Sequence, residues 1–108
     1  MTVNDLLEIE GFKSAVLPDG EREIQGVYIG DLLSWVMGKA NNGDAWITIM
    51  SNINILAVAS LADCACVILS EGVTLDGETL KTADEKGINV IYFNDSSFHA
   101  AVKINEML

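Results

Sequence analysis

The sequence has few basic residues. Six Lys and Arg stand against sixteen Asp and Glu, which gives the 108-residue chain a formal net charge of −10 at pH 7. A charge of this sign repels the phosphates of nucleic acids and of anionic lipid surfaces. We therefore expect neither nucleic acid nor a membrane as a partner.

Cysteine and histidine are equally scarce, which limits metal and catalytic sites. Cys64 and Cys66 are the only cysteines, and His99 is the only histidine. Two cysteines two positions apart on a strand point to one face without disulfide geometry, so both are predicted to be small buried hydrophobic residues. A zinc site needs about four ligands and would here require a dimer, so no metal or cofactor is predicted. His99 is expected in a solvent-facing helical stripe, which argues against a Ser-His-Asp triad.

Long hydrophobic runs are also missing. Half of the residues are apolar, yet no apolar segment approaches the ~20 residues that a membrane-spanning helix requires. The first residues are acidic, whereas a secretory signal begins with basic ones. These features predict a cytoplasmic protein, and the length predicts a single domain over residues 1–108.

After residue 44 the sequence alternates between apolar strands and helices. Strands are predicted near residues 45–50, 65–69 and 88–93, and helices near residues 53–62, 78–86 and 96–106. Gly87 ends the second of these helices, and Asp95 or Ser96 caps the third. Because continuous apolar strands are buried on both faces, the pattern predicts an α/β fold with a mixed, largely parallel sheet flanked by helices.

The first 44 residues are less regular. A short helix is predicted from a capping box formed by Thr2 and Asp5. Residues 14–17 and 23–29 are predicted to form a hairpin, because the Pro-Asp-Gly sequence between them favours a turn. Asp31 is predicted to cap the helix that begins at Leu32.

A polar elbow joins the strand near residues 45–50 to the helix that follows it. The elbow has neither the glycines nor the Lys-Ser/Thr pair of a P-loop, which favours binding over phosphoryl transfer. Ligands bind beyond the carboxyl ends of parallel strands, where helix N-termini present free N–H groups, so a small-ligand site is predicted here. The alternative is that each polar residue only caps a helix or closes a turn. The candidate ligand-binding residues are Ser51, Asn52, Asn54, Ser70 and Asn94.

Residues 27–37, 46–49, 54–59 and 83–91 resemble a DRTGG domain, and the resemblance extends over residues 14–106. Such domains are similar to the N-terminal domain of HPr kinase/phosphorylase and occur fused to CBS pairs, pyrophosphatases and phosphotransacetylases. The resemblance implies a regulatory or assembly role, a mixed α/β sheet and a homodimer. The chain departs from the family motif at residues 51–55, where the acid and the arginine are both missing. An anionic nucleotide would therefore lose its strongest charge-assisted contact.

Together these features predict a non-catalytic regulatory module. It is expected to form a homodimer, to sense a small polar or nucleotide-like ligand, and to act on a partner enzyme in trans. Trp35 and Met37 are predicted to anchor the dimer interface, since aromatic residues and Met are enriched in interfaces. The alternative is a purely structural protein-protein interaction domain without a ligand. Phosphotransfer of the serine-kinase type is the least favoured function, because the sequence lacks a nucleotide-binding P-loop.

Overall fold

A five-stranded sheet with helices on both faces forms the computed structural model, which describes residues 1–108. The elements, in chain order, are α1 (Val3–Leu6), β1 (Phe12–Val16), β2 (Gly26–Ile29), α2 (Leu33–Lys39), β3 (Asp44–Thr48), α3 (Asn54–Leu61), β4 (Cys66–Leu69), α4 (Gly77–Glu85), β5 (Val90–Phe93) and α5 (Ser97–Asn105).

The strands lie in the order β1-β5-β4-β3-β2. Strands β2 to β5 run parallel to one another, and β1 runs antiparallel to β5 at the edge of the sheet. The predicted α/β fold with a mixed, largely parallel sheet is confirmed. The three predicted strands and three predicted helices after residue 44 match β3 to β5 and α3 to α5, with ends that differ by a few residues.

Each face of the sheet has its own hydrophobic core, because successive side chains of a strand point to opposite faces. In β3, Ile47 belongs to the core that includes Leu6 of α1 and Ile104 of α5. Its neighbour Trp46 belongs to the core that includes Val36 of α2 and residues of α3 and α4. Both faces of β3 are covered, and all five of its residues are buried.

The predicted hairpin between residues 14–17 and 23–29 was wrong. Strands β1 and β2 lie at opposite edges of the sheet and do not pair with each other. Phe12 of β1 instead pairs with Phe93 of β5, and the two rings lie 4.5 Å apart. An isolated hairpin is marginal in water, whereas each strand gains a packed face when it joins the central sheet.

Two of the three helix N-caps predicted from the sequence are confirmed. Thr2 and Asp5 form the capping box of α1. Ser96 caps α5 by accepting the backbone N–H of His99 at 3.1 Å. The predicted cap at Asp31 was wrong, because α2 begins after Leu32 without a side-chain cap. The Asp31 carboxylate instead accepts hydrogen bonds from the chain that leaves β3.

The two cysteines occupy different cores. Cys66 lies in β4 and is buried in the core below α5, and burial raises the pKa of its thiol far above the usual range. Cys64 precedes β4, is partly buried and packs against the opposite core. Burial and then the Asp44 carboxylate raise the pKa of Cys64 to about 11. Cys66 is the small buried hydrophobic residue that was predicted, but the two side chains do not share one face. None of the helices is long and apolar enough to cross a lipid bilayer.

Candidate functional site

The carboxyl ends of the four parallel strands lie together at one end of the sheet, which we call the strand-end rim. The rim consists of the segments that directly follow β2, β3, β4 and β5: residues 30–32, 49–53, 70–76 and 94–96. Ligands of open α/β sheets bind at this end, beyond the carboxyl ends of the strands. The five predicted site residues all lie in or beside these segments.

The elbow after β3 is open to solvent. Ser51, Asn52 and Asn54 are exposed. The Asn52 side chain accepts the backbone N–H of Asn54 at 2.9 Å, so it satisfies part of the N-terminus of α3. None of the three residues borders a cavity. The structure thus shows a local capping role for Asn52, and the binding role of the elbow stays a prediction.

Ser70 lies beneath the rim. It is fully buried, and its Oγ lies 2.7 Å from the Oγ of Ser97 at the start of α5. The next residue, Glu71, adopts a left-handed backbone with φ +59° and donates its N–H to the carbonyl of Asp95 at 2.8 Å. These two bonds join the segments after β4 and β5. Ser70 therefore shapes the rim from below and does not face solvent.

Asn94 lines a small polar cavity of about 240 Å³ at the end of β5. Gly11 forms part of its wall with φ +98°, and a Cβ at this position would lie 2.8 Å from the Phe93 ring. Glycine is therefore required here for two independent reasons. Of the five predicted site residues, Asn94 alone lines a cavity. The lining residues are Glu10, Gly11, Phe93, Asn94, Asp95 and Lys103.

Charged groups surround this polar cavity. The Asp95 carboxylate accepts the N–H of Ser96 and lies 2.8 Å from Nδ1 of His99. The Ser96 N–H, followed by the hydrogen bond to His99, holds the pKa of Asp95 below its usual range. Lys103 adds the only ammonium group of the lining. This arrangement can hold a small polar molecule through complementary charges and amide hydrogen bonds.

The residues around the polar cavity form neither a Ser-His pair nor a metal site. Ser96 Oγ accepts a backbone N–H from His99 and does not bond to the imidazole. No group of three or more His, Cys, Asp and Glu residues is placed to hold a metal ion.

The other half of the rim is apolar, which the sequence analysis missed. Four large aliphatic side chains are exposed here: Ile29 is the last residue of β2, and the other three belong to the rim. Phe98 of α5 also lies exposed close to the end of β2. In the sequence, the only indication of this apolar surface is that Ile49 and Ile53 flank the polar elbow. The exposed aliphatic residues are Ile29, Leu32, Ile49 and Ile53.

A second cavity, of about 660 Å³, runs between β2 and α5, and we call it the edge groove. Seven of its nine lining residues are hydrophobic, and none is charged. A signal for it exists in the sequence, because α5 carries apolar residues on two stripes and only one stripe can face the sheet. The lining residues are Gly26, Val27, Tyr28, Ile29, Phe98, Ala101, Val102, Asn105 and Leu108.

Comparison with known proteins agrees with this architecture. The family profile of the DRTGG domain matches residues 12–107. The chain therefore belongs to the DRTGG domain family. None of the curated protein sequences compared with the chain matches it.

A solved structure has the same fold. It is the crystal structure of the CBS and DRTGG domains of the regulatory region of Clostridium perfringens pyrophosphatase, complexed with the activator diadenosine tetraphosphate. The TM-score is 0.76 at 18% sequence identity, and the match covers 99% of this chain and 47% of the other. This chain thus spans about half the length of the solved chain it matches.

Proposed function

We propose that this chain is a non-catalytic regulatory module that works as a homodimer in the cytoplasm, senses a small polar or nucleotide-like ligand, and acts on a partner enzyme in trans. The main support is the match of nearly the whole chain to a fold found in a regulatory region that was solved with an activator. Membership of the DRTGG domain family supports the same role.

The ligand site that we propose is the polar half of the strand-end rim. Asn94 and Lys103 line the polar cavity at the end of β5, and Asn52 and Asn54 lie in the elbow after β3. An anionic group would meet few positive charges on a chain with a net charge of −10. Because the elbow lacks the arginine of the family motif, we expect weak nucleotide binding or a preference for a less charged ligand.

The apolar half of the rim supports a second candidate function. Several exposed aliphatic and aromatic side chains at one end of a sheet are typical of protein-protein contacts. A purely structural interaction domain without any ligand would use this surface and leave the polar cavity as a water-filled depression. Neither candidate includes a phosphotransfer step.

A thermal-shift measurement separates the two candidates. The intact chain is heated with diadenosine tetraphosphate, AMP, ATP or acetyl phosphate at millimolar concentrations. A ligand present at 100 times its Kd stabilises the folded chain by about 2.7 kcal/mol, which is a readily measured rise in Tm. Absence of a shift with all four compounds would contradict the sensing function and favour the interaction domain.

Three Asn→Ala variants locate the site. Asn94→Ala and Asn52→Ala are expected to reduce the ligand-induced rise in Tm, since each removes an amide from the polar half of the rim. Asn41→Ala is the matched control. Asn41 is exposed and precedes β3, so it lies at the end of the sheet opposite the strand-end rim. If all three variants keep the full shift, the ligand binds elsewhere and the proposed site is wrong.

A further inference from the structure

The two edge strands of the sheet, β1 and β2, differ in how well they are protected against pairing with another chain. An exposed edge strand can pair with another chain, and proteins block such pairing with charged residues, bulges or proline. Strand β1 carries Lys13 and a register shift between Ser14 and Val16. Strand β2 has the sequence Gly-Val-Tyr-Ile, with no charged residue, no proline and a regular register against β3. The β2 edge is therefore built as a surface that another strand can cover.

The backbone of β2 has hydrogen-bonding groups available on its outer side. Gly30 donates its N–H to the carbonyl of Ile47 in β3 at 3.2 Å. Because these groups alternate in direction along a strand, Val27 and Ile29 point their N–H and C=O groups away from β3. Both residues line the edge groove. Two residues thus offer donors and acceptors to a partner strand.

Helix α5 forms the opposite wall of the edge groove. One stripe of α5, with Ala100 and Ile104, is buried in the core. A second stripe follows the i, i+3, i+4 spacing of Phe98, Ala101 and Val102 and faces the groove. The Phe98 side chain is 69% exposed and Val102 is 39% exposed. Ala101 packs against the core, whereas Phe98 and Val102 leave apolar surface open to the groove.

Charge indicates what covers the groove. The chain carries a net charge of −10, yet none of the nine residues that line the edge groove has a charged side chain. A basic partner segment would be matched by acidic side chains, and the groove has none. An uncharged apolar surface lets two acidic chains approach each other without placing their carboxylates face to face.

We propose that the edge groove is the interface with a second copy of this chain. The β2 strands pair antiparallel across a two-fold axis and join the two sheets, and the α5 stripes pack against each other. A two-fold interface uses the same patch on both subunits, and an antiparallel strand pair and a contact between two apolar stripes can each form from two copies of one element. This inference rests on the homodimer of the proposed function and assigns its surface to β2 and α5.

Sedimentation velocity of the full chain at micromolar concentration, with variants on three surfaces, tests this interface. Ile29→Pro removes an outward N–H, and Val102→Lys places a charge in the α5 stripe. Each is expected to raise the dimer Kd about tenfold or more. The controls Ile29→Val and Leu61→Lys are expected to remain dimeric. Leu61 is 74% exposed and lies on α3 at the other face of the sheet.

A monomeric wild type would overturn both this interface and the homodimer, while the thermal-shift result on ligand sensing would stand. A dimer that survives Ile29→Pro and Val102→Lys but dissociates with Trp35→Glu would overturn the β2 interface alone. Trp35 is exposed on α2, where Lys39 Nζ lies 4.9 Å from its ring.

Amide hydrogen exchange gives a second readout that needs no variant. In the proposed dimer the Val27 and Ile29 amides are protected at high protein concentration and exchange faster on dilution, because the pairing that protects them is intermolecular. Rapid exchange of both amides in a dimeric sample would overturn the inference even if a variant failed to fold.

Discussion

At the scale of single residues, Asp31 shows how one carboxylate joins the ends of two strands. Its Oδ1 accepts hydrogen bonds from Thr48 Oγ1 at 2.8 Å and from the Ile49 backbone N–H at 3.0 Å. Thr48 is buried and in turn accepts the N–H of Met50 at 3.2 Å. Asp31 follows β2 and Thr48 ends β3, so these bonds fix the geometry of the rim between the two strands.

We expect Asp31→Ala to destabilise the fold by about 1–3 kcal/mol, because it removes the acceptor of a buried hydroxyl and of a backbone N–H. Asp31→Asn keeps Oδ1 and should lose less. Urea unfolding followed by circular dichroism measures both variants. If Asp31→Ala were as stable as the wild type, these hydrogen bonds would have no net effect on stability.

At the scale of elements, the helix caps make stability depend on pH. Asp76 caps α4 by accepting the N–H of Thr79 at 2.7 Å. The Thr79 backbone hydrogen bond holds the pKa of the Asp76 carboxyl below its usual value of 3.8. A lowered folded-state pKa stabilises the fold at pH values above the unfolded pKa, and this contribution disappears as the pH falls through the folded pKa.

We therefore expect Asp76→Ala to lower the urea midpoint at pH 7 and to differ less from the wild type as the pH falls from about 4 towards 2. Protonation of the wild-type carboxyl weakens the same cap that the variant lacks. Urea titrations at several pH values measure this convergence. A difference between the two proteins that stayed constant over this range would show that the charge of Asp76 does not contribute.

At the scale of the whole molecule, a buried amide helps to hold the connection between the two edge strands in place, together with backbone hydrogen bonds from residues 20–25 to α1 and to the residue that precedes β3. Residues 17–25 pass from β1 at one edge to β2 at the other. The Asn89 side chain donates to the carbonyls of Asp19 and Ala65, at 2.8 and 3.0 Å. It also accepts the Asp19 N–H at 2.9 Å. Asn89 thus ties this connection to the central strands.

Asn89→Ala is expected to destabilise the fold by more than about 2 kcal/mol, since three hydrogen bonds are lost around a buried site. The exposed Asn41→Ala serves again as a control and is expected to stay within about 0.5 kcal/mol of the wild type. Chemical denaturation of the two variants provides the comparison. Equal stabilities would mean that the connection is held by its other contacts.

The candidate site could be predicted only in part. The sequence placed five polar residues at the ends of strands; four of them lie in the strand-end rim, and Asn54 is the first residue of α3 beside it. It could not distinguish Asn94, which lines a cavity, from Ser70, which is buried against Ser97. Whether a polar side chain at a strand end is exposed depends on which segment packs over it. That segment comes from another part of the chain, as Ser97 of α5 does for Ser70.

The sequence by itself determined the order of elements from β3 to α5, because burial on two faces, helix periodicity and caps are local patterns. Only the tertiary structure decided where β1 and β2 lie. A turn signal near Pro18 is compatible with a hairpin, but pairing with β5 and β3 buries each strand against a full sheet. The tertiary structure likewise decided which stripe of α5 faces the core and which stays open. Both stripes have similar hydrophobicity in the sequence, and the difference arises from the position of α5 over β2 and β3.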